Sequence, residues 1–208
     1  MKVRFGRFGV AVATGATVVL AGAGIASAHV TVDPGDGGAG DSTLVTFAFS
    51  HGCNGSPTTE VRIQIPESVP TVAPTMNAGW DVAKVMETLD PPIEGAHGEQ
   101  LTERVAEVVY TAKTPVPDGY RDTFVLSLTL PDTPGEALWF PTIQTCEGGE
   151  TAWIEIPADG QDHDDLDAPA PGFVIGEPAG GGEDDHDEGA VDTAVDAAAA
   201  VTVTTAAG

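Results

Sequence analysis

Thr59-Glu60-Val61-Arg62-Ile63-Gln64-Ile65 decides the fold class. Val61, Ile63 and Ile65 alternate with Glu60, Arg62 and Gln64, and a side-chain period of two sends one set to a core and the other to solvent. Phe124, Leu126, Leu128 and Leu130 repeat the pattern against Val125, Ser127 and Thr129. Outward from these two stretches, strand-like runs recur at Val30–Asp33, Thr43–Ser50, Trp80–Glu87, Val105–Thr111, Leu138–Thr145 and Thr151–Ile156. Turn formers separate them: Pro34-Gly35, Gly52 to Pro57, Pro91-Pro92, Pro115 to Gly119 and Pro131 to Gly135. No stretch of ten or more residues carries a helical period. Short strands divided by turns in this way predict an all-β, antiparallel β-sandwich of immunoglobulin-like or cupredoxin-like type.

The chain divides into three parts by charge. It has 208 residues, 32 acidic and 8 basic, for a net charge of −24. Such a balance excludes a general grip on nucleic acid or anionic lipid, which needs a surplus of cations. Residues 1–28 read as a signal peptide: Lys2, Arg4 and Arg7 precede an apolar run that ends in Ala26-Ser27-Ala28. Residues 29–158 hold the strand pattern and form the expected domain. Residues 159–208 carry acidic clusters among Gly, Ala and Pro, with no Lys or Arg and little apolar bulk beyond Phe173-Val174-Ile175. That composition predicts a disordered acidic tail or linker. A membrane anchor, if one exists, is expected beyond Gly208.

Cys53 and Cys146 are the two cysteines. An even count in an exported chain favours a disulfide, and the absence of CxxC spacing argues against a pair of copper-binding thiolates. The sequence lacks a Gly-x-Ser-x-Gly elbow, a His-Glu-x-x-His pair and a phosphate-cradling glycine loop. A binding protein rather than an enzyme is expected, in or beyond the cell envelope; the alternatives are a metal-free envelope interaction module and, further behind, a copper-dependent polysaccharide oxidase, for which no second histidine is placed.

Cleavage after Ala28 makes His29 the first residue of the mature chain. A free α-amine has a pKa of about 7.7–8 and can yield its proton to a metal. With the imidazole Nδ1 of the same residue it closes a six-membered chelate ring. Two neutral nitrogens of borderline softness suit Cu(II), and acidification should weaken binding because protons compete for the same atoms. His29 is expected to turn outward with Thr31 and Asp33 while Val30 and Val32 face the core. His51, His97, His163 and His186 read as solvated, and Met76 and Met86 do not form a methionine-rich Cu(I) motif.

Ala28-His29-Val30-Thr31-Val32 resembles the start of the YcnI-like copper-binding family of bacterial exported proteins. The similarity continues through Gly55 to Pro66, Ala78-Gly79-Trp80, Pro117-Asp118-Gly119-Tyr120, Leu130 to Gly135, Phe140 to Glu147 and Gly149-Glu150-Thr151-Ala152-Trp153. The resemblance implies a β-sandwich whose N-terminal histidine holds Cu(II) as a single-histidine brace, with a carboxylate and a tryptophan beside the ion. On this chain those positions fall on His29, Glu60 and Trp153, with Glu150 as the second carboxylate candidate. Trp153 is expected to share an outward face with Glu155, leaving Ile154 and Ile156 in the core. Trp80 and Trp139 read as packing residues. The partners implied are a copper ion and other copper-trafficking envelope proteins.

Overall fold

A computed structural model describes residues 29–95 and 98–178. The expected signal peptide, His97, and the part of the expected tail from 179 to 208 lie outside the described residues. The described residues form eleven strands and one 3-10 turn. They are β1 (Thr31–Asp33), β2 (Ser42–Phe49), β3 (Thr58–Gln64), β4 (Val72–Pro74), β5 (Trp80–Glu94), β6 (Gln100–Val116), β7 (Asp122–Thr129), β8 (Ala137–Trp139), β9 (Thr142–Cys146), β10 (Gly149–Trp153) and β11 (Gly172–Val174). Two antiparallel sheets, ordered β1-β2-β7-β4 and β10-β9-β3-β6-β5, form an immunoglobulin-like β-sandwich, and β11 pairs with β8 beside them.

The period-two residues meet between the sheets. Val45, Phe47 and Phe49 of β2 and Phe124, Leu126 and Leu128 of β7 face Val61 and Ile63 of β3, Val108 and Tyr110 of β6, and Trp80 of β5. Edge-to-face and tilted ring contacts join Trp80 and Tyr110 to Phe124, at centroid separations of 4.9 and 4.2 Å. Such geometry suits the ring quadrupoles and adds to simple area burial. The Trp80 indole N–H also reaches Asp122 Oδ2 at 2.8 Å, so its one polar atom is satisfied.

The Cys53–Cys146 disulfide is present, with an S–S distance of 2.09 Å and a sequence separation of 93. It ties the loop after β2 to the end of β9. The Glu147-Gly148 turn then leads into β10, where Gly149 takes φ 142°, a conformation costly for a residue with a Cβ.

Three sequence expectations are corrected by the structure. Pro91-Pro92 does not end its strand; both residues lie within β5. As an edge strand, β5 needs partners on one side only, so prolines there cost little pairing, and the ladder is irregular between Thr88 and Ile93. The run Leu138–Thr145 is two strands, β8 and β9, interrupted at Phe140-Pro141.

The third correction is the domain end. Ordered structure continues well past Ala158. Ala168 and Ala170 exchange backbone hydrogen bonds with Glu155, and β11 pairs with β8 through Gly172↔Trp139, Phe173↔Leu138 and Val174↔Ala137. Ala170 and Ile175 are buried. Phe173 stacks on Phe140 at 6.0 Å. The few apolar side chains of this acidic stretch are thus spent on covering the sandwich.

Candidate functional site

His29 lies two residues before the start of β1 at Thr31. Val30 is buried, Val32 packs against the core, and Thr31 and Asp33 are exposed, as alternation requires. The His29 ring meets the Trp153 indole edge to face, with centroids 5.4 Å apart and planes inclined at 69°. The two residues arrive from different sheets: β1 delivers His29, and the last position of β10 delivers Trp153.

Trp153 faces inward, against the sequence expectation. It is only 6 % exposed, whereas Ile154 and Ile156 are 47 % and 53 % exposed. The register explains the inversion. Trp153 pairs with Thr142 of β9, Thr142 pairs with Ile63 of β3, and both partners are fully buried. A one-residue slip along β10 would reverse every side chain; the strand instead stops at Trp153, and beyond it the two isoleucines point to solvent.

A buried polar group holds the indole. Trp153 Nε1 donates to Gln144 Oε1 at 3.1 Å. Gln144 Nε2 in turn donates to the His51 carbonyl at 2.7 Å and to Thr58 Oγ1 at 2.8 Å. Gln144 is 1 % exposed. The sequence signal for it was the alternation Thr142, Gln144, Cys146, which places a polar residue on the core face of β9.

Glu60 is placed elsewhere. It pairs across the sheet with Thr145 and Thr111, one residue out of phase with the inward-facing Val61. Trp153 and Glu60 therefore occupy opposite faces of one sheet. Glu60 Oε2 accepts from Thr111 Oγ1 at 3.3 Å and its Oε1 lies 3.5 Å from Arg62 Nη1. Arg62 also binds Glu107 at 2.6 Å, and that hydrogen bond, aided by the charges of Glu107 and Glu60 and opposed by burial, raises the guanidinium pKa. Glu150 pairs with Thr145 from the other side and shares the outward face with Glu60. Neither carboxylate candidate joins the His29–Trp153 pair.

A different carboxylate and a second histidine line a groove together with His29. A groove of about 300 Å³ is lined by His29, Thr31, His163, Asp164, Pro171 and Gly172. His163, expected to be a solvated tail residue, opens a 3-10 turn (His163–Asp165). Its ring stacks on Trp139 at 5.6 Å with planes inclined by 10°. Its Nε2 lies 3.1 Å from the Ala170 carbonyl. A carbonyl only accepts, so Nε2 carries a proton, and Nδ1 lies 3.7 Å from Asp164 Oδ1. Behind it, a Cβ at Gly172 would collide with the Trp139 ring, so only glycine lets the two strands close here. Sequence reading missed this wall because the segment looked too acidic and glycine-rich to fold.

Among the described residues, no three His, Cys, Asp or Glu side chains come together as a ready-made metal cluster, and no cysteine is free. A larger depression of about 580 Å³ near Gly35 to Leu44 has no histidine or cysteine in its lining.

The fold and this pair of rings define an immunoglobulin-like β-sandwich with a histidine at its N-terminal edge packed on a buried tryptophan. The family model described as "Domain of unknown function (DUF1775)" matches residues 29–175, and the chain belongs to that family, the YcnI-like one. A crystal structure of an uncharacterized protein from Nocardia farcinica, reported to have an immunoglobulin-like fold, is similar at 26% sequence identity. The match covers 72% of this chain and 99% of that one, with a TM-score of 0.56. No curated protein matches the sequence.

Proposed function

We propose that this protein is an exported Cu(II)-binding protein, not an enzyme, and that its mature N-terminus at His29 is the binding group. The observation that carries the reading is the His29–Trp153 contact, 5.4 Å between ring centroids. It places the histidine beside an aromatic wall at the point where the family match begins. The chemistry of the donor set agrees. The cysteines are joined to each other, so soft thiolates are not on offer, and the nitrogens of His29 are borderline donors suited to Cu(II). The amine and Nδ1 of one residue need no third side chain to form a chelate. Trp153 stands beside the histidine as an aromatic wall, and His163 and Asp164 line the same groove as His29. The disulfide suits a chain that works outside the reducing cytoplasm. No helix among the described residues is long and apolar enough to cross a membrane. Copper is the cargo, and acquisition, trafficking or sequestration in the cell envelope is the role.

The test uses two forms of the protein. One begins at His29, and the other has a single Ala placed before it. Cu(II) titration and EPR are recorded on both. Tight binding with a two-nitrogen chelate signature in the first form, lost in the second, is expected. Equal affinity and equal hyperfine pattern in the two forms would sink the proposal.

A further inference from the structure

Gln144 is a fully buried amide with three partners, two of which have one possible role. An indole N–H can only donate and a peptide carbonyl can only accept. Trp153 Nε1 therefore fixes the Gln144 oxygen on one side, and the His51 carbonyl fixes the Gln144 nitrogen on the other. Turning the amide over would break both bonds and leave buried polar groups unpaired, which is costly. The amide has a single orientation, and so does the indole it holds.

The groups behind Gln144 are themselves fixed. Thr58 Oγ1, its second acceptor, is fully buried and lies 3.8 Å from Cys146 Sγ. The His51 carbonyl belongs to the loop that the disulfide pins to β9, where the Cys53 N–H also points at Cys146 Sγ, 2.9 Å away. A continuous set of contacts thus runs from the disulfide through His51 and Thr58 to Gln144, then to Trp153 and the His29 ring.

We propose that Gln144 is a positioning residue for the N-terminal site: it fixes the plane of the Trp153 indole against His29 and thereby sets the surroundings of the bound ion. This rests on the reading of His29 as the copper ligand. Gln144 does not touch the ion; it acts through Trp153, as hydrogen-bonded outer partners commonly do at metal sites.

The experiment is a double-mutant cycle on protein beginning at His29. Gln144→Leu, Trp153→Phe and the double variant are titrated with Cu(II) and examined by EPR, with thermal unfolding as the control for folding. Gln144→Leu is expected to weaken Cu(II) binding about tenfold, a typical cost for loss of such a partner, and to shift the EPR parameters. In the Trp153→Phe background, where no indole N–H exists, the same change should have no further effect. An unaltered affinity and spectrum in Gln144→Leu overturns the proposal. So does an equal loss in both backgrounds, which would mean that Gln144 acts through the fold. A second measurement needs no Gln144 variant: the Trp153 indole N–H of the unmutated protein should be protected from hydrogen exchange, and rapid exchange refutes the bond. The form with Ala before His29 separates the two ideas. If it binds copper as the mature form does, the His29 reading fails and the positioning role falls with it. If it loses binding while Gln144→Leu keeps it, only the positioning role fails.

Discussion

His29 and Trp153 are joined edge to ring, and Trp153 is the inner partner: its indole is buried while the histidine sits at the rim. The tryptophan therefore has two duties, filling the end of the sandwich and walling the N-terminal site. Trp153→Ala should lower stability by about 3–5 kcal/mol, the usual cost of deleting a large buried aromatic. It also strands the Gln144 oxygen without a donor. Trp153→Phe keeps most of the apolar volume and should cost clearly less. Urea unfolding of the three proteins checks the order. A Trp153→Ala protein as stable as the parent would show that the indole is not a core residue.

Glu60 supplies a contrasting case. It lies across the sheet from the His29–Trp153 pair, facing Thr111 and Arg62. Glu60→Gln should leave Cu(II) affinity unchanged when titrated on protein beginning at His29, and Glu150→Gln should behave alike. A large loss in either variant would place a carboxylate at the ion and contradict the strand register. Stability should move little, because exposed or half-exposed ion pairs contribute at most about 1 kcal/mol.

Much of the sandwich is legible in the sequence because alternation is a local signal. Val61-Arg62-Ile63 and Phe124 to Leu130 announce their faces without knowledge of any neighbour. The inward turn of Trp153 is not local. Ile154 and Ile156 look like the better core pair, and only pairing with Thr142 makes the tryptophan the buried residue. The inward face of Gln144 follows from the alternation of β9, but its use does not, since two of its partners, His51 and Thr58, are 93 and 86 residues away. The groove wall at His163 is hidden because composition averages over a stretch. Between acids and glycines, Ala170, Phe173 and Ile175 suffice to dock it.

Tyr110 offers a test of the core that copper does not enter. Its ring packs on Phe124 between the sheets, and its buried hydroxyl has no hydrogen-bond partner among the described residues. Burial raises its pKa well above the ordinary tyrosine value. The folded state therefore keeps the proton at alkaline pH, while the unfolded chain loses it above about pH 10. Stability contributed by this group is complete below that pH and falls as pH rises, by at most about 1.4 kcal/mol per pH unit. Tyr110→Phe removes the unpaired hydroxyl and should be neutral to stabilising near pH 7. Above pH 10 it should retain stability that the parent loses. Urea unfolding at pH 7 and pH 10.5 gives the comparison; a variant that is markedly less stable at pH 7 would mean that the hydroxyl has a partner.

The extent of the folding unit can be tested by shortening the chain. β11 pairs with β8, the Ile175 N–H donates to the Glu136 carbonyl at 2.9 Å, and the Ala39 N–H donates to the Gly176 carbonyl at 3.0 Å. These bonds link the segment after Ala158 to the stretches that precede β2 and β8. Protein spanning residues 29–178 should unfold cooperatively with the stability of the full mature chain. Protein ending at Ala158 leaves Leu138 and Phe140 without their cover and removes the wall that carries His163. It should be several kcal/mol less stable, since uncovering each large apolar side chain costs about 1.5–3 kcal/mol. It should also bind the hydrophobic dye ANS. Equal unfolding midpoints for the two lengths would return the segment after Ala158 to the status of a tail. A midpoint that drops only on removing residues 159–178 would fix the domain end near Ile175, so that this acidic stretch is one wall of the groove beside His29.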